Sequence, residues 1–179
     1  RLCADVDLVV GVNDAVIAPY ADIPTPMLVV RNCAPAVFAE GGPSAVCAPG
    51  RKRFTVLQGK ASGNHGAKVV IQAFGLMANT IPAASVVFFE AFDANLSRQE
   101  FERCVRDSRA ADVVDLRPRI PMAEMPTVLR SCDAGLIAYS RKLGEKSLPN
   151  KLFEFMAAGV PVIAPIYSTE IARIVNAER

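Results

Sequence analysis

A chain of 179 residues can form one substantial domain with some extra, and is too short for two full ones. A formal charge of +2, with the basic residues dispersed, excludes a nucleic-acid-binding face but leaves room for a small anionic ligand. No apolar run reaches the roughly eighteen residues of a membrane span and no signal peptide is visible, so this piece, which opens on Arg1 and reads as part of something longer, is expected to be soluble.

In chain order, a strand is expected over Asp7 to Val12, then a turn or short helix, then a second strand over Met27 to Arg31. From Asn32 to Arg53, the prolines Pro35, Pro43 and Pro49 and the glycines Gly41, Gly42 and Gly50 give linker composition, with the boundary at 41–53. Beyond it, short apolar blocks predict strands at Phe54 to Gln58, Ser85 to Glu90, Val113 to Leu116, Ala134 to Tyr139 and Val160 to Ala164, each followed by a helical segment. That alternation predicts an α/β fold: a Rossmann-like, doubly wound parallel sheet with right-handed crossovers.

The helices carry their own signals. Val69, Val70, Ala73, Phe74 and Met77 make one apolar stripe, and Ser97 with Glu100 forms a capping box ahead of Phe101, Cys104 and Val105. Met122, Met125, Leu129 and Cys132 make a third stripe, and a fourth helix is expected from Ser147 to Ala158, using Leu152, Phe155 and Met156 toward the core and stopped by Gly159. The five cysteines (Cys3, Cys33, Cys47, Cys104, Cys132) are scattered, lack a C-x-x-C pair and have one histidine in the chain to help them hold a metal. Thiols in that pattern read as reduced, which points to the cytoplasm.

If the five later strands are wound in the order 3-2-1-4-5, the first and fourth lie side by side, and a ligand binds beyond their carboxyl ends. The loops placed there are Gly59 to Gly66 and Ser140 to Asn150. The first reads GKASGNHG, with Lys60, Asn64 and His65 among three glycines before a helix. Either it is a simple turn, or its backbone and the helix amides approach a phosphate. The second reads RKLGEKSLPNK; Ser147 could cap the following helix, with Pro149 in its first turn. Lys142, Lys146 and Lys151 cluster where the helix dipole favours anions. That cluster is either a solvated basic loop or an anion site. Glu154 lies one turn after Asn150, off the core face, and taken alone reads as a surface glutamate or a partner of Lys151.

At these residues the chain resembles family 4 (group 1) glycosyltransferases of the GT-B type. The stretch SLPNKLFEFMAAGVPVIAP, Ser147 to Pro165, closely resembles their donor-site segment. VLQGKASGNHG is similar to the family's first-strand loop and SCDAGLIAY to the strand before the donor loop. ADVDLVVGV followed by VVRNCAP resembles the end of the acceptor domain and the crossover. The resemblance covers nearly the whole chain but only the later half of such an enzyme. It implies that residues 1–40 close the acceptor domain, 41–53 link, and 54–179 form the C-terminal donor-binding domain, truncated before its closing helices.

The resemblance further implies Glu154 on the ribose hydroxyls, and Lys60 and Lys151 as the catalytic cations against the diphosphate. Asn150 and neighbouring amides such as that of Leu152 would hold phosphate beside Gly59, His65 and Gly66. His65 falls where a lysine or arginine is more usual. Leu116 to Arg119, Arg117 among them, would line the base pocket. Where many members carry a donor-sugar glutamate this chain has Lys146, with Glu145 one residue out of register.

The implied reaction moves a sugar from a UDP- or GDP-linked donor to an acceptor hydroxyl, with retention of the anomeric configuration. Fixed cations and helix-start amides would stabilise the charge building on the departing diphosphate. Neither loop carries an Asp-x-Asp sequence, so no obligatory metal or other cofactor is expected. The implied partners are the nucleotide sugar and, through the absent first domain, an acceptor glycan or glycolipid of bacterial cell-surface synthesis at the inner face of the membrane. The competing readings are a nucleotide-binding module without catalysis of its own and a GT-B nucleotide-sugar epimerase. No strand end offers an acid pair for glycoside hydrolysis, and the first loop lacks the G-x-G-x-x-G of a dehydrogenase.

Overall fold

The computed structural model describes residues 6–40, 54–81 and 83–177. The segment 41–53, expected as a linker, lies outside them. Among the described residues, two parallel strands, β1 (Val9–Gly11) and β2 (Met27–Val29), pair with each other, with the one-turn helix α1 (Asp14–Ile17) between them. The main sheet holds β3 (Phe54–Lys60), β4 (Ala84–Phe89), β5 (Val114–Arg117), β6 (Ala134–Leu136) and β7 (Val162–Ile163). Its strands are all parallel, in the order β5-β4-β3-β6-β7, which is the doubly wound order expected.

The apolar blocks explain the layering. All six residues of β4 (ASVVFF) are buried, as a strand covered on both faces must be. Alternate residues feed two cores. Val56, Val86 and Phe88 pack with Val70, Ile71 and Phe74 of α2 (Ala67–Met77) and Phe101 of α3 (Arg98–Asp107). Leu57, Val87 and Phe89 pack on the other face with Leu129 of α4 (Met125–Arg130), with Leu152 and Phe155 of α6 (Asn150–Ala157), and with Ile171 of α7 (Thr169–Ala177). Phe38, fully buried in a 3-10 turn at Ala36–Phe38, joins that second core, so the chain before residue 41 packs on the main sheet.

Several local expectations shift. The strands β1, β6 and β7 are shorter than their apolar runs because pairing, not hydrophobicity, ends them. In α2 the buried stripe is Ala67, Val70, Ile71 and Phe74, while Val69 is 67% exposed. Met122 and Met156 are also exposed. The capping box of Ser97 and Glu100 forms as expected. Ser147 does not cap α6: its hydroxyl turns back to the carbonyl of Leu143 in the one-turn helix α5 (Arg141–Gly144), and Pro149 occupies the cap position. Gly159, at φ 68°, ends α6 in a Schellman turn, with Val160 N bonding Phe155 O at 2.9 Å and Gly159 N bonding Met156 O at 3.1 Å.

Candidate functional site

Because β3 pairs directly with β6, the loops that leave their carboxyl ends meet. Between them lies a cleft of about 860 Å³. It is bordered by Gly59, Lys60 and His65 from the first loop and by Asn150, Lys151 and Glu154 from the start of α6.

A bulge shapes its floor. In the β3–β4 ladder Leu57 faces Val87 and Gly59 faces Phe88, so Gln58 is the extra residue. Gln58 is fully buried and lines the cleft. Its side-chain Nε2 donates to the carbonyl of His65 at 2.6 Å, while its Oε1 has no hydrogen-bond partner. Its backbone carbonyl accepts from Lys151 Nζ at 3.3 Å, and the same ammonium donates to Leu136 O at 2.9 Å and stands 5.2 Å from the ring centroid of Tyr139. Burial is the main cause that draws the Lys151 pKa down to about 7; Glu154 pulls it back up and Lys60 adds to the depression. Burial also raises the carboxyl of Glu154, against the pull of Lys151.

The first loop is tied down by Asp93, which follows β4. Its carboxylate accepts from Ser62 Oγ at 2.5 Å, from the amides of Gly63 at 3.3 Å and Asn64 at 3.4 Å, and from Asn95 N at 3.0 Å. These bonds, Ser62 foremost, hold the Asp93 pKa below its ordinary value. Ser62 Oγ also lies 2.8 Å from His65 Nδ1, and the imidazole meets Tyr139 edge-on at 4.9 Å. Gly66 ends the loop at φ 75°, and a Cβ there would run into the carbonyl of Ala138, so the close approach of the two loops needs glycine at this point.

Four residues expected at the site stand elsewhere. Leu152 is fully buried in the core and its amide bonds Pro149 O at 3.1 Å, so it has nothing to offer a phosphate. Arg117 folds onto Asp115, with Nε to Oδ2 at 2.8 Å, and it is Arg119 that borders the cleft, its Nε donating to Glu90 O at 2.7 Å. Glu145 is exposed at the end of α5 and lines neither this cleft nor the next, and Gly66 acts through its backbone turn. A second cavity of about 620 Å³ adjoins the first; His65 and Tyr139 border both, while Val12, Val16 and Lys146 belong to the second. Asn13 Nδ2 donates to Lys146 O at 3.2 Å and Asn32 Nδ2 to Leu148 O at 2.9 Å, pinning the loop before α6 from the first segment.

Gln58, Ser62, Asp93 and Tyr139 were not anticipated from sequence. The strand order alone could have flagged Asp93, because β4 is the other neighbour of β3 and its exit loop opens on the same cleft. Among the described residues no group of His, Cys, Asp or Glu could hold a metal ion. The chain's one Asp-x-Asp sequence, Asp5-Val6-Asp7, precedes β1, and Asp5 is not described. No described helix is long and apolar enough to cross a membrane.

Solved structures of glycosyltransferases share this fold. A mutant of S. aureus TarM, in complex with Fondaparinux, alpha-GlcNAc-glycerol and UDP, superposes with a TM-score of 0.71 at 11% identity, over 90% of this chain and 30% of TarM. The chain has the fold of a GT-B C-terminal domain. Sucrose-phosphate synthase from Thermosynechococcus elongatus matches with a TM-score of 0.70 at 15% identity, over 91% of this chain and 41% of that one. The pneumococcal O-GlcNAc transferase GtfA, in complex with UDP and GlcNAc, matches at 0.62 and 12% identity, over 97% and 39%. The chain thus spans less than half the length of these proteins. No protein-family profile and no curated protein matches the sequence.

Proposed function

We propose that this domain, with its GT-B fold, binds the donor of a glycosyltransferase, a nucleoside-diphosphate sugar, for transfer to the hydroxyl of an acceptor glycan or glycolipid held by the rest of a longer protein. The observation that carries the reading is the convergence of Lys60, Lys151 and the half-buried Glu154 on one cleft at the switch point of the sheet. A diphosphate bound between the two lysines would give Lys151 the anionic partner that the carbonyls of Gln58 and Leu136 only approximate. Charge growing on the departing diphosphate is then met by cations already in position, which favours the transition state over the ground state. Glu154, one turn further along α6, is within reach of a ribose diol while the phosphates sit at the helix start.

Transfer of a hexose to a cell-surface glycan or glycolipid, close to a membrane, is the fuller form of the proposal; TarM and GtfA, whose complexes hold UDP with sugar-bearing ligands, support it by fold. UDP and GDP are both candidate carriers, and the reading calls for no metal. Calorimetric titration of the chain with UDP, GDP and their sugars tests it. Binding that is lost in Lys151→Ala supports the site, and failure of all four ligands to bind refutes it.

A further inference from the structure

The imidazole of His65 is fixed in one protonation form by its neighbours. The Ser62 hydroxyl has a single proton, and the Asp93 carboxylate, an acceptor only, takes it across 2.5 Å. The remaining contact of Ser62 Oγ, 2.8 Å from His65 Nδ1, can therefore only be a bond in which Nδ1–H donates. Nδ1 carries the proton and Nε2 is left with a bare lone pair. The backbone of His65 is held from the other side, its carbonyl accepting from Gln58 Nε2 at 2.6 Å, and its ring is braced edge-on by Tyr139.

The charges facing this ring are Lys60 of its own loop, Lys151 from the start of α6, and Asp93 behind Ser62. Burial foremost, then Lys151 and Lys60, hold its pKa at about 4 against the pull of Asp93, so the ring is neutral at physiological pH. A neutral ring offering a lone pair repels a phosphate oxygen. What it can accept is a hydroxyl donor, and His65 stands on the wall common to both cavities, where a sugar attached beyond the diphosphate could reach.

We propose that His65 recognises a hydroxyl of the sugar carried by the nucleotide, accepting at Nε2, with Ser62 and Asp93 as positioning residues that fix its tautomer. This rests on the nucleotide-sugar reading and replaces the expected phosphate role of His65. The sugar, not the nucleotide, is then what this residue discriminates.

The experiment has two arms. His65 is the only histidine in the chain, so long-range 1H–15N correlation on the histidine-labelled protein reads its tautomer without ambiguity. The expected spectrum is that of Nδ1–H with bare Nε2, drifting toward the other tautomer in Ser62→Ala; an Nε2–H spectrum in the unsubstituted protein overturns the inference. In the second arm His65→Leu is titrated with UDP, GDP, UDP-glucose and GDP-mannose. The sugar conjugate that binds should weaken about fivefold, as expected for one neutral hydrogen bond, with its diphosphate unchanged. Equal weakening of sugar and diphosphate would assign His65 to phosphate and overturn the inference, while the donor-site reading stands. If none of the four ligands binds the unsubstituted protein, the donor-site reading itself falls, and the inference with it.

Discussion

Nucleotide binding should draw one proton into the cleft, through Lys151. In the empty site burial keeps this lysine near pKa 7. At pH 8 only about one molecule in eleven therefore carries the ammonium, and at pH 6 about nine in ten do. A diphosphate beside it favours the charged form and moves the pKa back toward its ordinary 10.5. Binding above pH 7 thus requires proton uptake, and affinity falls as pH rises, by about tenfold between pH 6 and pH 8. Calorimetry in buffers of different ionisation enthalpy should count close to one proton per UDP or GDP at pH 8 and almost none from this lysine at pH 6. Arginine stays charged throughout, so Lys151→Arg should bind without that uptake; the ionisation of the ligand's own phosphate, near pH 6, is common to both proteins. An unsubstituted protein that takes up no proton at pH 8, or a Lys151→Arg protein that takes up as much, would refute the reasoning.

Glu154→Ala should weaken the free nucleoside as well as the diphosphate, by about tenfold or more if the carboxylate bonds the ribose; titration with uridine and guanosine checks that, and a loss confined to diphosphates would deny the ribose contact. Gly66→Ala combines a left-handed backbone with a clash against the Ala138 carbonyl, and should cost more than about 2 kcal/mol of stability in urea unfolding. Phe155→Ala removes a ring that lies flat against Gly135, where a Cβ would meet it at 2.5 Å; a loss of about 3–5 kcal/mol is expected from the cavity, measured by the shift in denaturation midpoint.

The sheet was legible because its evidence is redundant. Five apolar blocks, each followed by a helical segment, allow few topologies once crossovers must be right-handed, and the order supposed among them, β5-β4-β3-β6-β7, is the one formed. The phase of α2 was not legible: AKVVIQAFGLM is apolar around most of its circumference, so a stripe through Val69 and one through Ile71 fit equally. What Ile71 has and Val69 lacks is tertiary packing: it is fully buried with Val70 and Phe74 against Val56, Val86 and Phe88 of the sheet. Likewise Ser147 has the chemistry of a cap, but α6 begins only at Asn150, and the Ser147 hydroxyl instead donates to the Leu143 carbonyl of α5, a turn hidden in the polar run RKLGEK.

The candidate site divides along the same line. Lys60 and Lys151 were placed at the cleft by position, at a strand exit and a helix start that the chain's alternation fixes, whereas Glu154, which taken alone reads as a surface glutamate, was singled out by the resemblance. Gln58 and Asp93 were not, because their roles arise between strands. The bulge exists only in the register of β3 against β4, and no pattern within FTVLQGK announces it. Yet it is the bulge that turns the Gln58 carbonyl to Lys151 and its amide to the His65 carbonyl, joining the two loops through one buried residue. Asp93 then fixes the far side of the first loop from β4. The charges of this cleft were therefore written locally in the sequence, whereas the rigidity that decides what those charges can bind comes from neighbouring strands, and a single neutral histidine held between Ser62 and Tyr139 is where the two meet.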